Sequence, residues 1–300
     1  MGIFKFFRNK EKKNDSDLSP NCKTDDKINY EITVKKVLDE IVSETEIPCI
    51  KIELTDHKTS VFESKAGGIG YVPRESKIPV DSSGNQLKLL VQLECDKIKL
   101  EEFPKSGLLQ FWIAANDVYG LDFDDSTRQN TFRIIYYKTI DYTVTEDEIK
   151  EKVTFLKNTE NDENDFPLNG EYGISFTNSK DSMSFYDFRF EEIFCEKFNH
   201  LMPDQTIKST YELDVNFNDI MDDMNLEAFL HKIGGYPGFT QTDPRDDEKY
   251  DFLLLQLDSD YENDNTKIMW GDSGICNFFI NREKLKKCDF SDVIYNWDCY

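Results

Sequence analysis

Apolar positions along the chain fall into two periods. From Glu31 to Glu46, Val34, Val37, Leu38, Ile41 and Val42 recur at helical spacing and Pro48 ends the run, which predicts one amphipathic helix. The segments "CIKIELT", "LKLLVQLE", "GLLQFWIA" and "FRIIYYK" follow as short apolar or alternating runs bounded by Gly, Pro and Ser, the pattern of strands in one antiparallel sheet. "TEDEIKEKVTFL" opens on a Thr145/Glu148 capping box and reads as a helix. "GEYGISF" is a further strand, "FEEIFCEKFNHLM" and "FNDIMDDMNLEAFLHKI" have helical spacing, and "DFLLLQLDSD", "KIMWGDSGICNFFI" and "DVIYNWDC" return to strands. The order is mixed and not a regular βαβ alternation. The expected fold class is therefore α+β, a predominantly antiparallel sheet with flanking helices.

Two stretches of this pattern repeat. "LLVQLE" at 89–94 matches "LLLQLD" at 253–258, "SGLLQFWI" at 106–113 matches "SGICNFFI" at 273–280, and Gly67-Gly68 matches Gly234-Gly235, with offsets of 164, 167 and 167 residues. Apolar strands alone would not preserve the Gln, the Ser-Gly and the Gly-Gly. An internal duplication of two related halves about a pseudo-twofold is expected. The expected organisation is a disordered basic and polar leader at 1–29 and a single domain at 30–300. Within that domain the first half covers about 47–140, a connecting region about 141–217 and the second half about 218–300.

The repeat bears on "GDSG" at 271–274, a string shared with the nucleophile loop of trypsin-like proteases. Its counterpart in the first half is "PKSG" at 104–107, which lacks the Asp, and Ile275 and Cys276 stand where a protease loop continues with Gly. Ser273-Gly274 reads as a turn into a strand.

Charge narrows the classes further. A formal net charge of -23, spread along the length, opposes binding to nucleic acid or anionic membranes and favours a basic protein partner. Seven scattered cysteines without a C-x-x-C pair argue against a disulfide framework or a thiolate zinc site and point to the cytoplasm. No run is apolar enough to span a bilayer. Residues 1–13 interleave Phe with Lys and Arg, so both a disordered tail and a weak peripheral membrane contact are open.

Candidate chemistry is sparse. "DSDYENDN" at 258–265 alternates acids as a calcium loop does, but Asn263 and Met269 stand where Gly and Glu are required. "GGIGYVP" lacks the Lys-Ser or Lys-Thr of a phosphate loop. Gln92 and Gln256 interrupt apolar strands at matching places, and either line a shared cleft or satisfy loop backbone. "HKIGGYPGFTQTDPR" gathers a helix end, a Gly-Gly break and polar groups. His231 there is either a helix C-cap residue or part of a site with Tyr236, Gln241, Asp243 and Asp272. No catalytic residue, metal ligand or cofactor is assigned.

"GGYPGFTQTDPR", "LLLQLDSD", "WGDSGICNFFI" and "DFSDVIYNWDCY", with "LLVQLECD", "FPKSGLLQFWI" and "YGLDFDDSTRQNTFRIIYY" in the first half, together resemble the YwqG-like family over roughly residues 45–300. The resemblance implies an α+β domain of unknown function with no established catalytic residues, and some relatives are associated with toxin and immunity loci. The functional expectation is a protein-binding module, of the toxin-neutralising type among others. The alternative is a small-ligand or enzyme site at the junction of the halves.

Overall fold

The structure, a computed structural model, describes residues 20–154, 166–213, 215–217, 220, 228–262 and 265–300. Among the described residues, ten strands form one sheet: β1 (Ile47–Thr55), β2 (Lys65–Ala66), β3 (Lys88–Glu94), β4 (Leu108–Ile113), β5 (Phe132–Tyr137), β6 (Tyr172–Asp181), β7 (Lys232–Gly234), β8 (Phe252–Asp258), β11 (Ile275–Ile280) and β12 (Val293–Asp298). Their order is β12-β11-β8-β7-β1-β6-β2-β3-β4-β5, and every pairing is antiparallel. A separate hairpin joins β9 (Asp260–Glu262) to β10 (Asn265–Ile268).

The sheet curls into a nearly closed barrel. Phe132 of β5 lies 5.2 Å from Tyr295 of β12 between ring centroids, and Phe111 of β4 lies 4.9 Å from Phe278 of β11, so the two outer ends of the strand order meet. The β4–β5 connection seals the seam: Tyr295 N donates to Ser126 O (2.9 Å) and Trp297 Nε1 to Val118 O (2.8 Å). Ile50, Ile52 and Leu54 of β1 project inward with Leu90, Leu254 and Phe278 into one buried cluster, as the two-residue period of a strand requires.

This arrangement corrects the expected fold class. The protein is a mostly antiparallel, barrel-like sheet, not an α+β sheet with flanking helices. Among the described residues the α-helices of the domain are few: α1 (Pro20–Thr45), α2 (Glu146–Lys150), α3 (Phe190–Leu201) and α4 (Arg282–Lys286). Val34, Val37, Leu38 and Ile41 of α1 pack with Phe190, Phe194 and Phe198 of α3 in a cluster of their own, so the two long helices cover each other. The helix expected over 217–233 has its middle outside the described residues, and its end is strand β7. The error has a physical cause, since three residues are too few to show a period of two. Of the expected leader, 1–19 and with them the 1–13 segment lie outside the described residues, while α1 begins at Pro20.

The matched segments sit at corresponding distances from the central pair β1–β6. Gln92 Oε1 accepts from Tyr71 N (2.8 Å) and its Nε2 donates to Val61 O and Glu63 O. Gln256 Oε1 accepts from Gly238 N (2.8 Å) and its Nε2 donates to Ala228 O and Leu230 O. Both amides satisfy loop backbone and line no common cleft. Nearer the centre, buried Lys65 pairs with Glu171 (3.1 Å) and buried Lys232 with Asp181 (2.8 Å), carboxylates at the two ends of β6. Glycine makes this possible. Gly68 (φ 69°) and Gly235 (φ 74°) adopt the left-handed conformation, and a Cβ on either would run into the Glu171 or Asp181 carboxylate.

Ser273, at φ 58°, sits in a turn closed by Gly274 N donating to Trp270 O (2.7 Å) immediately before β11. Its setting is structural, as the "PKSG" counterpart indicates.

Candidate functional site

The cleft of interest follows from the shortness of β7. β1 has nine residues and β8 seven, but β7 between them has three, paired as Cys49↔Gly234 and Lys51↔Lys232 on one side and Lys232↔Gln256 on the other. One residue further, Ile52 N donates to His231 O (2.9 Å). Beyond that point the Gln256 amide holds the carbonyls of Leu230 and Ala228. An opening of about 700 Å³ remains between Ile52–Leu54 on one wall and Asp258–Asp260 on the other, with Phe229, Leu230 and His231 beneath and Lys267 and Tyr261 at its margin.

Side chains cap the backbone of both walls. Asp258 N donates to His231 Nδ1 (3.0 Å), and Lys267 Nζ donates to Leu54 O (3.2 Å). Because Nδ1 accepts, the proton of the neutral ring is on Nε2. The His231 side chain is 9% exposed, and Nε2 lies 3.7 Å from Asp260 Oδ2, longer than a hydrogen bond. A metal on Nε2 would require the proton on Nδ1, where the Asp258 N–H already points, so the donor set does not fit a metal centre.

Among the described residues, three carboxylates, Glu53, Asp258 and Asp260, line the opening against one ammonium, Lys267, whose Nζ is 3.9 Å from Asp260 Oδ2. Burial pushes the Asp258 carboxyl up to about 6, and the nearby His231 only partly offsets it. The His231 ring holds Asp260 below its usual range. Asp258 contrasts with Glu94, the matching last residue of β3. Glu94 Oε2 accepts from Ser64 N (2.9 Å) and Ser64 Oγ (3.1 Å) and pairs with Lys97 (2.7 Å). Asp258 accepts from Ser259 N (2.8 Å), and three residues on, where Lys97 stands after Glu94, the chain has Tyr261.

The five residues singled out from the sequence are distributed as follows. His231 lines the cleft, but as the residue entering β7 and not as a helix cap. Tyr236 donates from its OH to Thr45 O (2.8 Å) and from its N to Asp181 Oδ2 (2.9 Å). Asp243 is clasped by Arg245 (Nη2 2.7 Å), which also bonds Asp187 (3.2 Å) in a buried ionic group. Gln241 N donates to Asp298 (3.1 Å) and its side chain to Cys299 O (2.8 Å), while exposed Asp272 accepts from Tyr300 N through its main-chain carbonyl. Tyr236 and Asp243 are bridged through Arg189, Asp187 and Arg245, Gln241 and Asp272 both lie by residues 298–300, and His231 lines the cleft with residues that sequence reasoning missed. For Asp258 a signal existed: the replacement of Lys97 by Tyr261 between the matched segments removes the cation from one of two equivalent acids.

A family model described as "Domain of unknown function (DUF1963)" matches residues 64–299. The chain belongs to this family. No curated protein matches the chain. The match includes both Lys-x-Gly-Gly segments and the Asp258 wall, whereas the β1 wall with Glu53 and Leu54 precedes it. Among the described residues, no helix is long and apolar enough to cross a membrane.

Proposed function

We propose that this protein is a protein-binding module, of the YwqG-like type and acting in the cytoplasm, that engages a basic partner at the Asp258 cleft. The observation that carries the reading is the place of Asp258 at the edge of an open cleft with Tyr261 three residues on, where its counterpart Glu94 is paired with Lys97. A partner's Lys or Arg supplies the missing cation, and the net charge of -23 steers such a partner inward. Toxin neutralisation, in which an acidic protein covers a basic one, is one form of this activity. The enzyme alternative has less support, because Nδ1 of His231 is already engaged, Tyr236, Gln241 and Asp243 are held in structural contacts, and neither they nor Asp272 line the cleft.

The test is fluorescence anisotropy with the peptide Val-Lys-Val-Lys-Val and its Glu-containing analogue at low salt. The lysine peptide binds and the glutamate peptide does not, and Asp258→Asn with Asp260→Asn weakens binding about tenfold or more. Equal binding of both peptides, or no binding of the first, removes the proposal.

A further inference from the structure

The walls of the cleft suggest how a partner is held. β7 fits between β1 and β8, so the space that continues its line past His231 is one strand wide. On the β8 side the ladder position at Asp258 is closed by the His231 ring, which is packed in place and nine-tenths buried. On the β1 side, among the described residues, the carbonyl of Leu54 is met by the Nζ of Lys267, at 3.2 Å. Lys267 is itself within 3.9 Å of Asp260, so its ammonium has a second acceptor when it leaves Leu54.

Resting on the binding reading above, we propose that the partner binds by strand addition. An extended basic segment enters the space vacated by β7, displaces Lys267 from Leu54 O and pairs its main chain with β1. Charge commits the occupant to a basic segment, since among the described residues Glu53, Asp258 and Asp260 line the space with one lysine, Lys267. His231 lines the cleft with its Nε2 3.7 Å from Asp260 Oδ2, and its Nε2–H donates to a carbonyl of the incoming chain, a second contact that a lone cation would not use. Because His231 closes the β8 wall, the segment pairs on one side only. Past Ile52, whose N–H is bonded to His231 O, Leu54 is the β1 residue whose main-chain groups face this space, so one residue of the segment exchanges hydrogen bonds with it and the N–H groups of the adjacent residues point away from β1.

This geometry is tested with the same Val-Lys-Val-Lys-Val peptide carrying backbone N-methyl groups on either the odd or the even residues. Strand addition on one edge means that one methylated peptide loses about tenfold or more in affinity while the other binds within about threefold of the parent. If both methylated peptides bind like the parent, side chains alone are recognised and strand addition is wrong, although the binding reading stands. Loss with both overturns one-sided pairing. If the unmethylated peptide fails to bind, the binding reading itself falls.

Discussion

The main-chain N–H of Asp258 donates to Nδ1 of His231 at 3.0 Å, which ties the last residue of β8 to the residue that enters β7. This contact fixes the ring tautomer. Nitrogen-15 NMR of the imidazole near neutral pH should show Nδ1 as the unprotonated acceptor and Nε2 as the protonated nitrogen. His231→Ala leaves the Asp258 N–H without its acceptor and should cost about 1–2 kcal/mol in chemical denaturation. A proton found on Nδ1 would refute the assignment.

Asp258 gives the stability a pH dependence of defined sign. Burial raises its carboxyl to about 6 in the folded protein, so the folded state binds the proton more tightly than the unfolded state does. Its contribution is fully present at about pH 4 and below, and is lost as pH rises towards about 6. The loss is at most roughly 3 kcal/mol. Asp258→Asn keeps the side-chain oxygen that accepts from Ser259 N and removes this penalty. Thermal melts should show the variant more stable than the parent above about pH 6 and equal to it near pH 4. A constant difference across that range would contradict the assignment. Peptide binding at the cleft should weaken as pH falls through about 6, because the carboxylate that faces the cation is then neutral.

The two buried lysines should differ in what they contribute. Lys232 pairs with Asp181, whose side chain is 17% exposed, and Lys65 with Glu171, at 34%. Lys232→Met strands the less accessible carboxylate and should cost about 3 kcal/mol or more in urea unfolding, with Lys65→Met costing less because Glu171 reaches water. The reverse order would mean that the carboxylates' exposure does not set the penalty.

Ser273 offers a test of the protease-like string. At φ 58° a serine is strained by about 1 kcal/mol relative to glycine, and the entropy glycine carries in the unfolded chain offsets part of that. Ser273→Gly should leave the melting temperature unchanged or slightly higher and leave peptide binding intact. A clear loss of binding would assign the hydroxyl a role that its turn does not suggest.

Long strands were legible because each is an uninterrupted apolar or alternating run, as in "LLLQLD" and "FRIIYY", and the Thr145/Glu148 box did start α2. The cleft was not, because its cause is the absence of strand, a β7 of three residues whose local pattern continues a helical-looking segment. His231 stands out in the sequence for its loop-like neighbours, yet its partners are Asp258 at the end of β8 and Asp260, 27 and 29 residues along the chain. Asp258 is legible only by comparison with the matched Glu94, whose Lys97 becomes Tyr261, since an acid at the end of an apolar strand does not by itself show its burial.

The seam between β5 and β12 has a consequence for self-association. An open ten-stranded sheet would offer two rows of unpaired backbone groups on which another copy could template itself. Here Ser126 takes the outward N–H of Tyr295, and Val118 and Tyr119 clasp the rings of Trp297 and Tyr295. A single loop thus acts as a clasp on the barrel, and substitution at Tyr295 or Trp297, by removing the side-chain bonds to Tyr119 and Val118, would weaken the cover that keeps this edge from other copies.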